Sequence, residues 1–155
     1  MTNTLPRVTY SNINADFTAV QAHFDATLAD ARDRLLGRDR AHLIAGAEVA
    51  GGEMRRAVSP IDDRVTICRF GCADAAVIDR AVGAARAAAP GWAALGWPQR
   101  VAALRRFADV LDQRKYELAA ASLLEVGKSR MEAIGEAQEA VDLARYYCDQ
   151  MEANA

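Results

Sequence analysis

No run of this chain approaches the roughly 18 consecutive apolar residues that cross a bilayer. The opening MTNTLPRVTYSNINADF also lacks the apolar core of a secretory signal, so a soluble, cytoplasmic protein is expected. Cysteine is scarce: Cys68, Cys72 and Cys148 cannot all pair within one chain and are too few for a disulfide scaffold. Cys68 and Cys72 stand in CRFGC, but no second Cys or His pair follows at zinc-like spacing, and His23 and His42 fall in different predicted elements. No metal site is expected, and the two thiols read as strand residues with one facing the core. A basic excess is missing too, since 19 Lys and Arg are interspersed with 21 Asp and Glu. That removes the electrostatic footprint of a nucleic-acid binder.

Phosphate-binding glycine spacing is likewise absent. Gly127-Lys128-Ser129 invites a P-loop reading, but that loop needs a second glycine where Ser122 stands, and the segment follows a helix rather than a strand. Leu95-Gly96-Trp97 and the Gly46 to Gly52 region also fail the dinucleotide fingerprint, so no cofactor site is expected in this chain. A nucleophilic cysteine needs a nearby base and a stabilised thiolate. Cys148 instead has Asp149 and Glu152 as helical neighbours, which points to core packing and leaves no catalytic residue assigned.

What is present is mostly helical periodicity. The 155 residues suit one domain, read as an extended lead over 1–13, a helix over 14–37, a small sheet over 41–70 and a helical part over 74–154. In the first helix Phe17, Val20, Phe24, Leu28, Ala31 and Leu35 recur at steps of three and four, with Asn14 as its expected cap and Gly37 as its left-handed end. LIAGAEV, EMRRAVSP and RVTICRF are short β-prone runs, giving two or three antiparallel strands, with Pro60 at a strand end or edge. Beyond them, Asp74 caps a helix carrying Val77, Ile78, Val82 and Ala85, which Pro90-Gly91 is expected to stop. Pro98 opens a helix with Val101, Leu104, Ala108 and Leu111 on its inner face, and a bend over 112–115 leads to a further helical run over 116–125, closed by Gly127. Ser129 and Glu132 form a capping box at the head of the last helix, whose inner side carries Ile134, Val141, Ala144, Cys148 and Met151. The fold class is therefore α+β and mostly helical: one helix, a small antiparallel sheet, then three to four helices.

Glu125, Glu132, Glu136 and Glu139 could supply paired carboxylates for acid–base work. With no histidine near them in sequence, a solvated helical face is the plainer reading.

Several separated features then coincide. An Ala-rich helix leads to Trp92, an arginine-led helix starts at Arg100, a turn reads Leu124-Glu125-Val126-Gly127-Lys128, and a helix carries Arg145-Tyr146-Tyr147. Upstream, Val58-Ser59-Pro60-Ile61-Asp62 looks like an Asn-Pro-x-Thr strand end. Over about residues 41–154 this pattern resembles the amino-terminal part of the aldehyde dehydrogenase superfamily. Ser59 to Asp62, Glu125 to Lys128, the run Tyr147 to Asn154 and an acid at Glu139 are similar to a narrower group, the 1-pyrroline-5-carboxylate (glutamate-γ-semialdehyde) dehydrogenases.

The resemblance implies an incomplete part of the family's α/β fold. It implies an NAD- or NADP-dependent oxidation of an aldehyde, such as glutamate γ-semialdehyde, to a carboxylate in the complete enzyme. It also implies that Glu139 faces the aldehyde tunnel and holds the substrate ammonium; a solvated surface glutamate is the alternative. The family's nucleotide-binding loop, its water-activating glutamate and its catalytic cysteine come later in its members than Ala155 does here. This chain is therefore expected to be an inactive N-terminal segment, partnered by a catalytic domain or a full-length dehydrogenase, or self-associating. The rival expectation is a non-catalytic helical interaction module derived from the same segment.

Overall fold

The computed structural model describes residues 5–9, 11–12 and 15–155. Helix α1 (Thr18–Leu35) is followed by five short strands, β1 (Arg38–Arg40), β2 (His42–Ile44), β3 (Ala47–Val49), β4 (Met54–Val58) and β5 (Thr66–Gly71). Four helices complete the chain: α2 (Ala75–Ala94), α3 (Trp97–Gln113), α4 (Lys115–Val126) and α5 (Arg130–Ala153).

The first helix begins later than position 14. The cap expected at Asn14 lies outside the described residues, and at the observed start Asp16 accepts both the amide and the hydroxyl of Thr18, at 3.0 and 2.7 Å. Gly37 takes the left-handed conformation expected of it (φ 69°), and its N–H turns to the carbonyls of Thr66 and Ile67 in β5. This contact ties the end of α1 to the sheet.

The sheet region extends one strand further than its apolar runs indicate. β1 pairs in parallel with β5, and β4 pairs antiparallel on β5's other side, giving the order β1-β5-β4. Charged Arg38-Asp39-Arg40 carries no strand periodicity, so only its hydrogen-bonding partner reveals it as a strand. LIAGAEV forms a separate hairpin, β2–β3, whose central residues Ala45 (φ 52°) and Gly46 (φ 79°) both have the positive φ of a type I′ turn. Cys68 lies in β5 and Cys72 just beyond it; both are half-buried. Gly51 and Gly71 cross so closely that a Cβ on Gly71 would lie 2.7 Å from the Gly51 Cα, which only glycine permits.

The core lies where α1 and α5 each pack against α4. Val20, Phe24 and Ala31 of α1 meet Ala119 and Ala120 of α4 and Ala133 and Ile134 of α5, and Val8 of the lead joins the same cluster. The small side chains of α4 let its neighbours approach closely, so Phe24 is fully buried. Further along the same face of α5, Val141 and Cys148 are buried, as are Val101 and Ala108 of the adjacent α3. Gly127 (φ 79°) ends α4, and the Ser129–Glu132 capping box starts α5 in both its bonds, as expected.

Pro90 does not stop α2. The helix runs one turn further to Ala94, and the Leu95 N–H closes it on the Gly91 carbonyl. Proline removes one hydrogen bond, but α2 buries no residue, so water can serve the carbonyl left over, and alanines on both sides favour the helix.

Candidate functional site

Helix α5 carries six carboxylates, and their partners separate them. Glu132 is consumed by the cap, where Ser129 holds its carboxyl below the usual range. Glu136 accepts from Lys128 at 2.6 Å and from the Ser122 hydroxyl at 3.1 Å, and these two donors lower its pKa in that order. Asp142 is held by Arg7 of the lead and by Gln138 Nε2 at 3.0 Å. Asp149 and Glu152 both bind Arg105, at 2.8 and 2.6 Å. Glu139 alone on this helix has no hydrogen-bond or ion-pair partner among the described residues. It borders a recess of about 140 Å³ with Thr9, Gly135, Gln138 and Asp142.

The floor of this recess is built from a polar relay. Gln138 is 4% exposed, and it spends both ends of its amide: Oε1 accepts from Lys115 Nζ at 3.1 Å while Nε2 donates to Asp142. Lys115 in turn binds Asp112 at 3.0 Å, and Arg145 binds Asp112 at 3.0 Å and Asp109 at 3.2 Å. Burial pushes the Asp112 carboxyl up, but the two cations outweigh it and hold the group below its ordinary value. A buried amide satisfied at both ends has one orientation, so the turn of α5 that presents Glu139 is fixed.

The sequence singled out Glu139 but not Thr9, Gln138 or Asp142 beside it. Arg7 and Asp142 are 135 residues apart, and no local spacing signals such a pair. Of the other acids considered, Glu125 is exposed on α4 and does not share the recess, while Glu132 and Glu136 are committed to local bonds. The four glutamates therefore do not form one acid–base cluster. Cys148 is 1% exposed, with its thiol 3.9 Å from the Val101 carbonyl, which is a packing position rather than a reactive one. Among the described residues no group of three or more His, Cys, Asp or Glu is placed to hold a metal ion.

Most helix starts of this structure are closed by the chain's own residues. The Asp16 carboxylate occupies the start of α1, Asp74 accepts from Val77 N–H at the start of α2, Pro98 removes an amide at the start of α3, and the capping box fills the start of α5. Helix α4 follows α3 after the single residue Arg114. No described helix is long and apolar enough to cross a membrane.

Among proteins of known activity, the chain is 42% identical over 94 residues to N-succinylglutamate 5-semialdehyde dehydrogenase of Chromobacterium violaceum, covering 60% of this chain and 19% of that protein. Among solved structures, it matches a variant of 1-pyrroline-5-carboxylate dehydrogenase from Thermus thermophilus at 28% identity and a TM-score of 0.81, covering 96% of this chain and 28% of that one. The corresponding Mycobacterium tuberculosis enzyme matches at 28% identity and a TM-score of 0.78, covering 96% of this chain and 27% of that one; it has also been solved with NAD bound. The chain thus spans about a fifth of the length of the curated relatives it matches. The aldehyde dehydrogenase family model matches residues 48–155, well over half of the sequence, and the chain belongs to that family.

Proposed function

We propose that this chain supplies the amino-terminal segment of an NAD(P)-dependent oxidation of an amino-acid semialdehyde to a carboxylate, with Glu139 recognising the substrate's ammonium group. The observation that carries this reading is the isolation of Glu139. Every other carboxylate on α5 is hydrogen-bonded or ion-paired within the chain, whereas Glu139 borders a recess with no such partner among the described residues. A carboxylate left unpaired beside a fixed polar floor is the group that would select a cation. The thiol that attacks the aldehyde and the cradle for the nicotinamide belong, in this reading, to a catalytic partner: a further domain or a full-length dehydrogenase. That partner would cover apolar side chains such as Tyr147 and Phe107, which are 65% and 53% exposed. The same reading places the protein in the cytoplasm, where its three thiols stay reduced.

The relatives divide on the head group. An N-succinylated glutamate semialdehyde has its amine acylated and carries no ammonium, whereas glutamate γ-semialdehyde keeps one. The unpaired Glu139 favours the second. A chimera decides between them: this chain is exchanged for the matching segment of the Thermus thermophilus enzyme, and kcat/KM is measured with both aldehydes before and after Glu139→Ala. Loss of about tenfold or more confined to glutamate γ-semialdehyde supports the assignment, given the strength of charge-assisted hydrogen bonds. Equal kcat/KM for the two forms refutes it. The alternative function, a non-catalytic helical interaction module, is favoured instead if the chain co-purifies in fixed stoichiometry with a complete dehydrogenase whose kcat/KM for both aldehydes is unchanged by Glu139→Ala in this chain.

A further inference from the structure

A second recess, of about 300 Å³, lies on another part of the molecule, between the end of α1, strands β1 and β5, and α4. Its interior is apolar, formed by Leu36, Ile67, Ala121 and Leu124 with the Cys68 thiol. Its two exposed members are oppositely charged: Arg40 and Glu125. These two do not pair with each other. One guanidinium N–H of Arg40 goes to the Leu35 carbonyl at 3.1 Å, leaving the rest of the fork available, and Glu125 has no partner among the described residues. The size is at the small end of ligand pockets, which are typically about 300–1,000 Å³ with a few polar groups set on an apolar lining.

From this arrangement we propose that the recess binds a free α-amino acid with an apolar side chain. Its carboxylate would meet Arg40, its ammonium would meet Glu125, and its side chain would enter the space beside Ile67, Ala121 and Leu124. Opposite charges that line one apolar recess without pairing with each other match a zwitterionic head with a hydrophobic tail. A simple fatty acid would satisfy Arg40 but face repulsion from Glu125, and an alkylamine would do the reverse. The site shares no residue with the recess at Glu139, so it stands or falls independently of the proposed dehydrogenase role.

L-leucine is a suitable probe, and the full chain is a suitable sample. Titration should shift the methyl resonances of Ile67, Ala121 and Leu124 saturably, and saturation should slow alkylation of Cys68 at least about threefold while leaving Cys72, outside the recess, unchanged. Glu125→Gln, a surface change that leaves the fold intact, should weaken leucine by about tenfold while leaving 4-methylpentanoate, the same skeleton without the amine, equal or tighter. Arg40→Met should weaken both ligands. Absence of a saturable shift at leucine concentrations in the tens of millimolar overturns the proposal. So does a Glu125→Gln variant that binds leucine as the parent does.

Discussion

Helices α2 and α5 are both long, but they differ in what they touch. Helix α5 packs against α3 and α4, buries six residues, and commits five of its six carboxylates to cap, lysine, arginine or glutamine partners. Helix α2 buries none, touches little beyond β2, and leaves Ile78, Val82 and Trp92 between 45 and 52% exposed. One helix is fixed by packed neighbours and by bonded carboxylates along its length. The other is held by its own backbone, an Asp74 cap and alanine propensity, so an apolar stripe alone does not make a core.

The sharpest test of that contrast is a cavity in the packed half. Phe24→Ala should cost about 3–5 kcal/mol in denaturant unfolding, because Phe24 is fully enclosed by α1, α4 and α5. If the loss is below 1 kcal/mol on that scale, the α1–α4–α5 cluster is not the structural centre. Next in size is the cap. Ser129→Ala should destabilise by about 1 kcal/mol, since it removes the acceptor for the Glu132 amide and the donor to the Glu132 carboxylate.

Acid should act on the same half, with a smaller effect per group because the groups are largely solvated. The Asp112, Glu132 and Glu136 carboxyls all sit below their ordinary values in the folded chain. A depressed carboxyl contributes stability above its unfolded pKa of about 4 and loses that contribution as pH falls through the lower folded value. Thermal melts should therefore be flat from neutral pH down to the mid-acid range and then decline, and the Ser129→Ala chain should decline less steeply. A parallel decline in both would remove the cap from the acid response. The smallest effect belongs to α2: Ile78→Gln should change stability by no more than about 0.5 kcal/mol. A larger loss would mean that α2 is covered in solution, by the catalytic partner or by a second copy.

Periodicity and capping chemistry are local, and they made the helices legible. The stripe from Phe17 to Ala31, the box Ser129–Glu132, the Asp74 cap and the glycine at 127 all appear in the structure as their spacing implies. The misread features are those that local rules treat as absolute. Pro90 terminates a helix only when its missing N–H leaves a carbonyl that nothing else can satisfy, and on a solvated helix water is available. β1 is a strand only because β5 lies beside it. The recess was half legible: Glu139 came from its likeness to a family pattern, whereas Thr9, Gln138 and Asp142 reach it only through folding.

By itself the sequence determined the caps that start α2 and α5, which faces are apolar, and which family the chain resembles, because each of these depends on residues a few positions apart or on a pattern read in order. Tertiary structure alone decided which apolar faces are covered and which carboxylates keep a free charge. Whether a stripe is buried or an acid is paired depends on groups brought together from distant parts of the chain, as Arg7 is to Asp142. No spacing rule within one helix distinguishes Glu136 from Glu139, but a lysine at the head of that helix does.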